Sequence, residues 1–345
     1  EDMKKVMFVL SFVIAFCLVG CNSNPVITKA TGMIYDVMVV MDKNYWDGSV
    51  GDAVHADLEA PVPYLPQEEA SFDISYTAPD GFDSFMKYVR NIVIVEINPS
   101  TYTKVSLKYE NDRWAAGQVV ATLKAPDSTA VVSYLKENPR LLSDFFTTVE
   151  INRAIALAEK NYSSTVYQVL KEKHDLTLKV PENFEFYKDT TDFFWATNNA
   201  STGRMDVVVY SFPYEDKDTF TPEYLVAKRD SVMKANLPGA FPGSYMATET
   251  RFGVGYSAIT LHGKYCGVMR GLWKMQGDMM GGPFVSHVRL DETLNRIVVA
   301  EGFVYAPETS KRNYIRRMEA ALFTLRLPGE FEQPAEASLM PVIEK

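Results

Sequence analysis

A stretch with helical spacing separates two strand-rich parts of the chain, and this alternation most constrains the fold. Within residues 126–173, apolar side chains recur every three or four positions, and Asp127 and Pro139 stand where helices commonly begin. On both sides, short apolar or alternating runs predict β-strands. The sequence therefore predicts an α+β protein: two mixed α/β halves with largely antiparallel sheets, joined by a helical connector.

The first half is predicted to span residues 33–125. Residues 33–41 and 91–97 are nearly continuous in apolar side chains, which is typical of buried central strands. Residues 104–109 and 118–123 alternate between apolar and polar side chains and predict a hairpin at one edge.

The second half is predicted to span residues 174–328 and to contain an antiparallel meander between residues 256 and 305. An amphipathic helix beginning at Ser310 completes it. Residues 329–345 are polar and are predicted to form a flexible tail. The basic residues of the last helix are predicted to face solvent: Lys311, Arg312, Arg316 and Arg317.

Residues 1–21 resemble the signal peptide of a bacterial lipoprotein. Lys4 and Lys5 precede an apolar run from residue 6 to residue 19, which is shorter than the ~20 residues of a membrane-spanning helix. The following Leu-Val-Gly-Cys, ending at Cys21, is similar to a lipobox. The resemblance implies that Cys21 carries lipid, and three acyl chains suffice for stable anchoring. A plain secretory signal with a chance cysteine and a transmembrane anchor are the alternatives.

The residues after Cys21 indicate a destination. Residues 22–32 read as a polar tether, and no acidic residue occurs between Cys21 and Asp36. By resemblance to other lipoproteins, this implies the outer membrane, with the periplasmic side favoured over the cell surface. We therefore expect a membrane contact through the N-terminal lipid.

Composition excludes several classes of function. The net charge of −9 argues against nucleic acid as a partner. If Cys21 is lipidated and Cys17 leaves with the signal, Cys266 is alone and no intramolecular disulfide forms. The four histidines do not stand at metal-ligand spacing, and no nucleotide-binding motif is present. The sequence predicts no metal and no cofactor.

Polar residues after the first strand form the candidate ligand-binding site. Asp42, Trp46 and Asp47 follow that strand directly, and Arg90 precedes the next buried strand. Ligands often bind beyond the carboxyl ends of strands in open α/β sheets. The alternative is that the first three are turn residues at the start of the helix predicted for residues 49–59.

A glycine-rich turn with adjacent methionines is the candidate contact for a protein partner. Its candidate residues are Trp273, Met275, Met279 and Met280. Methionine is common at adaptable binding surfaces. The alternative is that Met279 and Met280 fold back over the sheet.

Several stretches in both halves carry a resemblance to a known family: residues 39–42, 46–48, 90–95, 271–273, 282–284 and 301–312. Together they resemble a family of Bacteroidota lipoproteins described as domain of unknown function 4837. The resemblance implies a lipoprotein but no activity. We therefore expect a non-catalytic binding or accessory component of an envelope complex, with an envelope protein as partner. An envelope hydrolase using carboxylates and a small-ligand-binding lipoprotein are the alternatives.

Overall fold

A computed structural model describes residues 28–332, which form two modules with one sheet each. The predicted α+β class is confirmed. The first module contains β1 (Asp36–Val40), α1 (Lys43–Trp46), α2 (Ser49–Leu58), β2 (Asp73–Thr77), β3 (Asn91–Ile97), β4 (Ser106–Asn111), β5 (Val119–Ala125), α3 (Ser128–Glu137) and α4 (Leu141–Ala158). The second contains α5 (Ser164–Lys173), β6 (Glu185–Asp189), β7 (Phe193–Thr197), β8 (Arg204–Pro213), α6 (Pro222–Asn236), β9 (Tyr245–Thr248), β10 (Gly255–Leu261), β11 (Lys264–Gln276), β12 (Gly281–Asp291), β13 (Arg296–Tyr305) and α7 (Arg312–Leu322).

The sheet of the first module is mixed, with strand order β2-β1-β3-β5-β4. The edge hairpin β4–β5 is antiparallel, as predicted. The other three strand pairs are parallel, so the expectation of a largely antiparallel sheet is wrong for this module. Parallel pairing requires long crossovers, and the segments between these strands supply them. Apolar runs in β1 and β3 marked buried strands but did not fix their direction.

Helices cover one face of this sheet and an irregular segment covers the other. α2, α3 and α4 bury Val54, Val131 and Phe146 against the side chains of β1, β3 and β5. On the opposite face, Phe82 and Trp114 pack on the central strands. The central strands are therefore buried on both faces, as their apolar runs predicted.

The sheet of the second module is antiparallel, with order β10-β11-β12-β13-β8-β7-β6, and β9 pairs with the end of β11. The predicted meander of β10 to β13 is confirmed. Residues 176–180 contain an isolated bridge, from Thr177 to Arg326. Leu176 and Leu178 are nevertheless buried, because this segment lies over the sheet instead of extending it.

Both faces of the second sheet are covered by helices. α6 packs on one face through Leu225 and Met233. α5 and α7 pack on the other, where Gly302 of β13 lies beneath Met318. A Cβ atom on Gly302 would lie 2.6 Å from Met318 Cβ, so glycine is needed for this helix to approach the strand.

The helices of the predicted connector belong to the two modules. α3 and α4 contribute most of their buried side chains to the first core, and α5 contributes to the second. α4 also packs along α7 and brings the modules into contact. Residues 126–173 thus connect the two modules, because their helices contribute side chains to both hydrophobic cores.

The start of α7 is bound by the first module. The Glu69 carboxylate accepts the backbone N–H groups of Lys311 and Arg312, each at 2.8 Å, and the Arg312 side chain pairs with Asp73 at 2.7 Å. Lys311 and Arg312 are buried, and Arg316 pairs with Glu319 at 2.9 Å. Of the four basic residues predicted to face solvent, only Arg317 is exposed. The helical pattern could not reveal that the first module covers this face of α7.

The ends of the described chain are tied to the modules. Lys29 and Thr31, in the predicted tether, make isolated bridges to Ala116 and Val89. Glu330, in the predicted tail, is buried and pairs with Arg289 at 2.6 Å, so the second module extends past residue 328. Cys21 lies outside the described residues. Between residues 28 and 332, no helix has the length and hydropathy to cross a membrane.

Candidate functional site

The edge beyond β1 holds three of the four residues predicted to bind a ligand. Asp42 is exposed before α1, and its carbonyl accepts the N–H groups of Tyr45 and Trp46. Asp47 pairs with Lys43 at 2.7 Å. The Trp46 ring stacks on Tyr76, with the ring centroids 4.4 Å apart. These residues mainly shape the turn, and of the three only Asp42 borders the open depression next to it.

Arg90 lies at the opposite edge of the sheet. It precedes β3, whereas Asp42 follows β1, and these two strands are parallel. The start of one parallel strand and the end of its neighbour lie at opposite edges, so the predicted group of four is not assembled. Arg90 instead reaches α4, where its guanidinium pairs with Glu150 at 2.8 Å.

Arg90 lines a cleft between the two modules, and this cleft is the structure's best candidate for a ligand site. Its walls come from α4, α7, the chain before β1 and the segment around residues 181–183. The cleft has a volume of about 700 Å³, which is within the usual range for small-molecule sites.

A buried carboxylate organises the basic side of the cleft. Glu150 accepts hydrogen bonds from Arg90 at 2.8 Å, Arg153 at 2.6 Å and the Asn91 amide at 2.8 Å. Burial lowers the pKa of the Arg153 guanidinium, and Glu150 acts against that shift. One carboxylate therefore holds two guanidinium groups, and the cluster keeps an excess positive charge.

The hairpin between β11 and β12 holds the four residues predicted to contact a partner, but they differ in how far they are exposed. Trp273 and Met275 are core residues, and the Trp273 indole N–H donates to the Val304 carbonyl at 3.2 Å. Met280 is partly buried against the same core. Met279 is fully exposed at 101%. The prediction of a contact surface thus remains for Met279, whereas Trp273 and Met275 cannot present a surface.

The base of this hairpin is tightly packed. A Cβ atom on Gly282 would lie 2.0 Å from the Val304 carbonyl oxygen, so glycine permits the close approach of β12 to the end of β13. An open groove of about 440 Å³ runs beside the tip and is bordered by Pro66, Arg251 and Lys311. Both modules contribute to this groove.

Two further side chains of reactive types, Cys266 and His287, are buried in the core of the second module. Burial raises the pKa of the Cys266 thiol to about 12, which leaves little of the reactive thiolate. Burial lowers the pKa of His287 to about 3. Among residues 28–332, no group of three or more His, Cys, Asp and Glu side chains is placed to hold a metal ion.

Sequence reasoning missed three of the residues that define the cleft. Glu150 and Arg153 stand three positions apart on α4, a spacing that places them on one face of the helix. That spacing was the available signal, but it also occurs on ordinary solvated faces. Arg317 was assigned to solvent, and it is exposed at the cleft.

The fold and the cleft define a class of protein with two α+β modules. One module has a mixed sheet, the other has an antiparallel sheet, and an open cleft with basic residues lies between them. Residues 163–324 match the family described as Domain of unknown function (DUF4837). Residues 30–159 match a second family, Domain of unknown function (DUF8532). The family recognised from the sequence is therefore confirmed for the second module, and the stretches quoted from residues 39–48 and 90–95 lie in the second family's region.

Other comparisons are weaker. No curated protein sequence matches this chain. Among solved structures, the Saccharomyces cerevisiae Ran-binding protein Mog1p is 13% identical at a TM-score of 0.28, over 44% of this chain and 90% of that one. A mutant of Mog1 is 11% identical at a TM-score of 0.29, with the same coverage. A Bacteroides thetaiotaomicron protein is 12% identical at 0.25, over 45% of this chain and 46% of that one. These similarities carry no argument about function.

Proposed function

We propose that this protein is a non-catalytic binding component of a cell-envelope complex, anchored by lipid on Cys21 at the periplasmic side of the outer membrane. A single observation supports the binding role most strongly. Met279 is a large apolar side chain at 101% exposure, on a hairpin whose base is fixed by Trp273 and Gly282. A rigid support with an adaptable apolar tip is suited to contacting a protein.

The groove beside the tip supports the same role. It is open and is bordered by both modules. Among the described residues, three basic and two acidic side chains line it, so it carries a small excess of positive charge: Arg251, Lys274, Lys311, Glu249 and Asp278. A partner seated on Met279 would therefore contact both modules at once. We propose an envelope protein with an apolar pocket and an acidic rim as that partner.

The carboxylates of the cleft give no support to the alternative of a hydrolase. In the described part of the chain, the glutamates lining the cleft are Glu150 and Glu182. Glu150 is engaged by two arginines, so it is not free to act as a general acid or base. The small-ligand alternative has its own support in the cleft.

Site-specific cross-linking in intact cells tests the proposed contact. A photoreactive amino acid at position 279 should yield a defined adduct with one envelope protein. The matched control is position 294, because Leu294 is also an exposed apolar residue, 47% accessible, at the next hairpin tip of the sheet. No adduct at 279, or the same adduct at both positions, would contradict the proposed surface.

The membrane anchor has a separate test. Cys21→Ala should abolish incorporation of labelled palmitate and prevent processing of the signal peptide. Labelled wild-type protein should fractionate with the outer membrane. Unlabelled wild-type protein would refute the lipid anchor and would leave the Met279 contact to be judged by cross-linking alone.

A further inference from the structure

The cleft between the modules has features that partner binding at Met279 does not explain. Among residues 28–332, three arginines and two glutamates line it, so this lining is positive by one charge in a protein of net charge −9. The cleft lies between α4 and α7, away from the Met279 hairpin, and shares no lining residue with the groove there. A second binding function therefore has its own location.

Two guanidinium groups of the cleft have unused hydrogen-bonding capacity. The Arg317 side chain is exposed in the cleft and makes no ion pair or hydrogen bond with any residue between 28 and 332. Arg90 is held by Glu150 through one nitrogen, but its Nε atom is buried without a hydrogen-bond partner. An unpaired buried donor is costly, and planar guanidinium groups favour carboxylate and phosphate oxygens.

Another part of the wall is apolar. Ile34 and Leu157 both line the cleft and are 44% and 61% exposed. Ala154, Ala158 and Ala320 extend the same wall with small side chains. Exposed leucine and isoleucine side chains grouped in a concave surface are typical of a binding site.

We propose that this cleft binds a small organic anion: a carboxylate or phosphate group carried on an apolar body. The anionic group is received by Arg317 and Arg90, and the apolar body covers Ile34 and Leu157. The positive lining disfavours a metal cation. The volume of about 700 Å³ fits one small molecule and excludes a folded partner.

Isothermal titration of the lipidated full chain in nanodiscs tests this proposal, with empty nanodiscs as the blank. The probes are hexanoate, hexyl phosphate, hexanol and acetate. Saturable one-to-one binding is expected for hexanoate, hexyl phosphate or both, because these carry both features; the stronger of the two identifies the preferred head group. Acetate and hexanol should each bind at least about tenfold more weakly, which corresponds to ~1.4 kcal/mol.

Two variants locate the binding. Arg317→Gln should weaken the binding of the anionic probe about tenfold, and Leu157→Ser should weaken hexanoate while leaving acetate unchanged. Arg113→Gln is the matched control, since Arg113 is a partly exposed arginine outside the cleft. Binding of neither anionic probe to the wild-type protein would overturn the proposal. Equal binding of hexanol, or an Arg317→Gln variant that binds like the Arg113→Gln control, would also overturn it. Cross-linking at position 279 does not depend on this result.

Discussion

Two arginine–glutamate clusters, one inside the second module and one at the cleft, use the same groups in different surroundings. Arg229 and Glu301 are both 0% exposed, with two guanidinium contacts at 2.7 and 2.9 Å. Thr248 and Ser286 occupy further hydrogen-bonding positions of the pair. Nothing in this cluster is open to a ligand, so its role is to hold α6 against the sheet.

The cluster at the cleft, by comparison, is partly exposed to solvent. Arg90 and Arg153 are 20% and 21% exposed, and they share Glu150 as their one carboxylate. The comparison shows that an arginine on its own identifies neither a core pair nor a site. What distinguishes the two clusters is exposure: the Arg90 and Arg153 side chains are partly exposed at the cleft, whereas that of Arg229 is not exposed.

Removing the carboxylate of the sealed pair is expected to have the largest effect. Glu301→Gln removes the main counter-ion of the buried Arg229 charge and leaves it the more distant Asp230 carboxylate at 3.7 Å. Breaking such a pair costs about 3–5 kcal/mol in the free energy of unfolding. Urea unfolding measures this loss. The double variant Arg229→Met/Glu301→Leu is the control and should recover most of it, because no unpaired charge remains. A loss below about 1 kcal/mol for Glu301→Gln would show that solvent reaches the pair.

The second largest expected effect is a dependence of stability on pH, which comes from His287. It is fully buried in β12, near Glu319, Arg270 and Arg289, and burial lowers its pKa to about 3. The unfolded chain, with an ordinary histidine pKa of about 6.5, binds a proton that the folded protein rejects. Stability should therefore fall by about 2 kcal/mol between pH 7 and pH 5.

Urea unfolding at both pH values checks the effect of His287. His287→Leu should be less dependent on pH over this range by the same amount, whatever its stability at pH 7. An identical pH dependence in the variant and the wild-type protein would show that His287 is not the responsible group.

The cleft carboxylate is expected to matter less for stability. Glu150→Gln removes the shared acceptor of Arg90 and Arg153, but water reaches both guanidinium groups, so the cost should be about 1–2 kcal/mol. The same change should strengthen hexanoate binding about threefold, or ~0.6 kcal/mol, because it releases positive charge into the cleft. If Glu150→Gln lost more stability than Glu301→Gln, the cleft cluster, and not the buried pair, would be the more important one for stability.

The smallest effect concerns the contact between the modules. Glu69→Ala removes the carboxylate that accepts the first backbone N–H groups of α7, which should cost about 1 kcal/mol. Its neighbour Glu68 is exposed, and Glu68→Ala should leave stability unchanged. Thermal unfolding of both variants measures the difference, and equal melting temperatures would show that Glu69 does not stabilise the start of α7.

Much of the local structure was predictable. The meander of β10 to β13 and the hairpin β4–β5 follow from alternation, and the helix from Ser49 to Leu58 follows from its apolar spacing. These elements depend on contacts close in sequence. The direction of the first sheet was not predictable, since apolar runs occur in parallel and antiparallel central strands alike.

The candidate sites were less predictable than the fold. Asp42 and Arg90 both flank buried strands, and only the parallel pairing of β1 with β3 shows that they lie at opposite edges. Trp273 and Met279 belong to one hairpin, but packing against β13 buries the first and leaves the second exposed. Site geometry depends on which elements become neighbours, and a single sequence does not record that.

The sequence by itself determined the α+β class, the strand-rich halves, the final helix and the family. These follow from the period of apolar residues and from local motifs, which act over a few residues. Tertiary structure alone decided that α4 meets α7, that Lys311 and Arg312 are buried, and that Arg90, Glu150 and Arg317 share a cleft. The physical reason is that a charged side chain is stabilised by whatever the fold brings beside it, and those partners lie 60 or more positions away from Arg90.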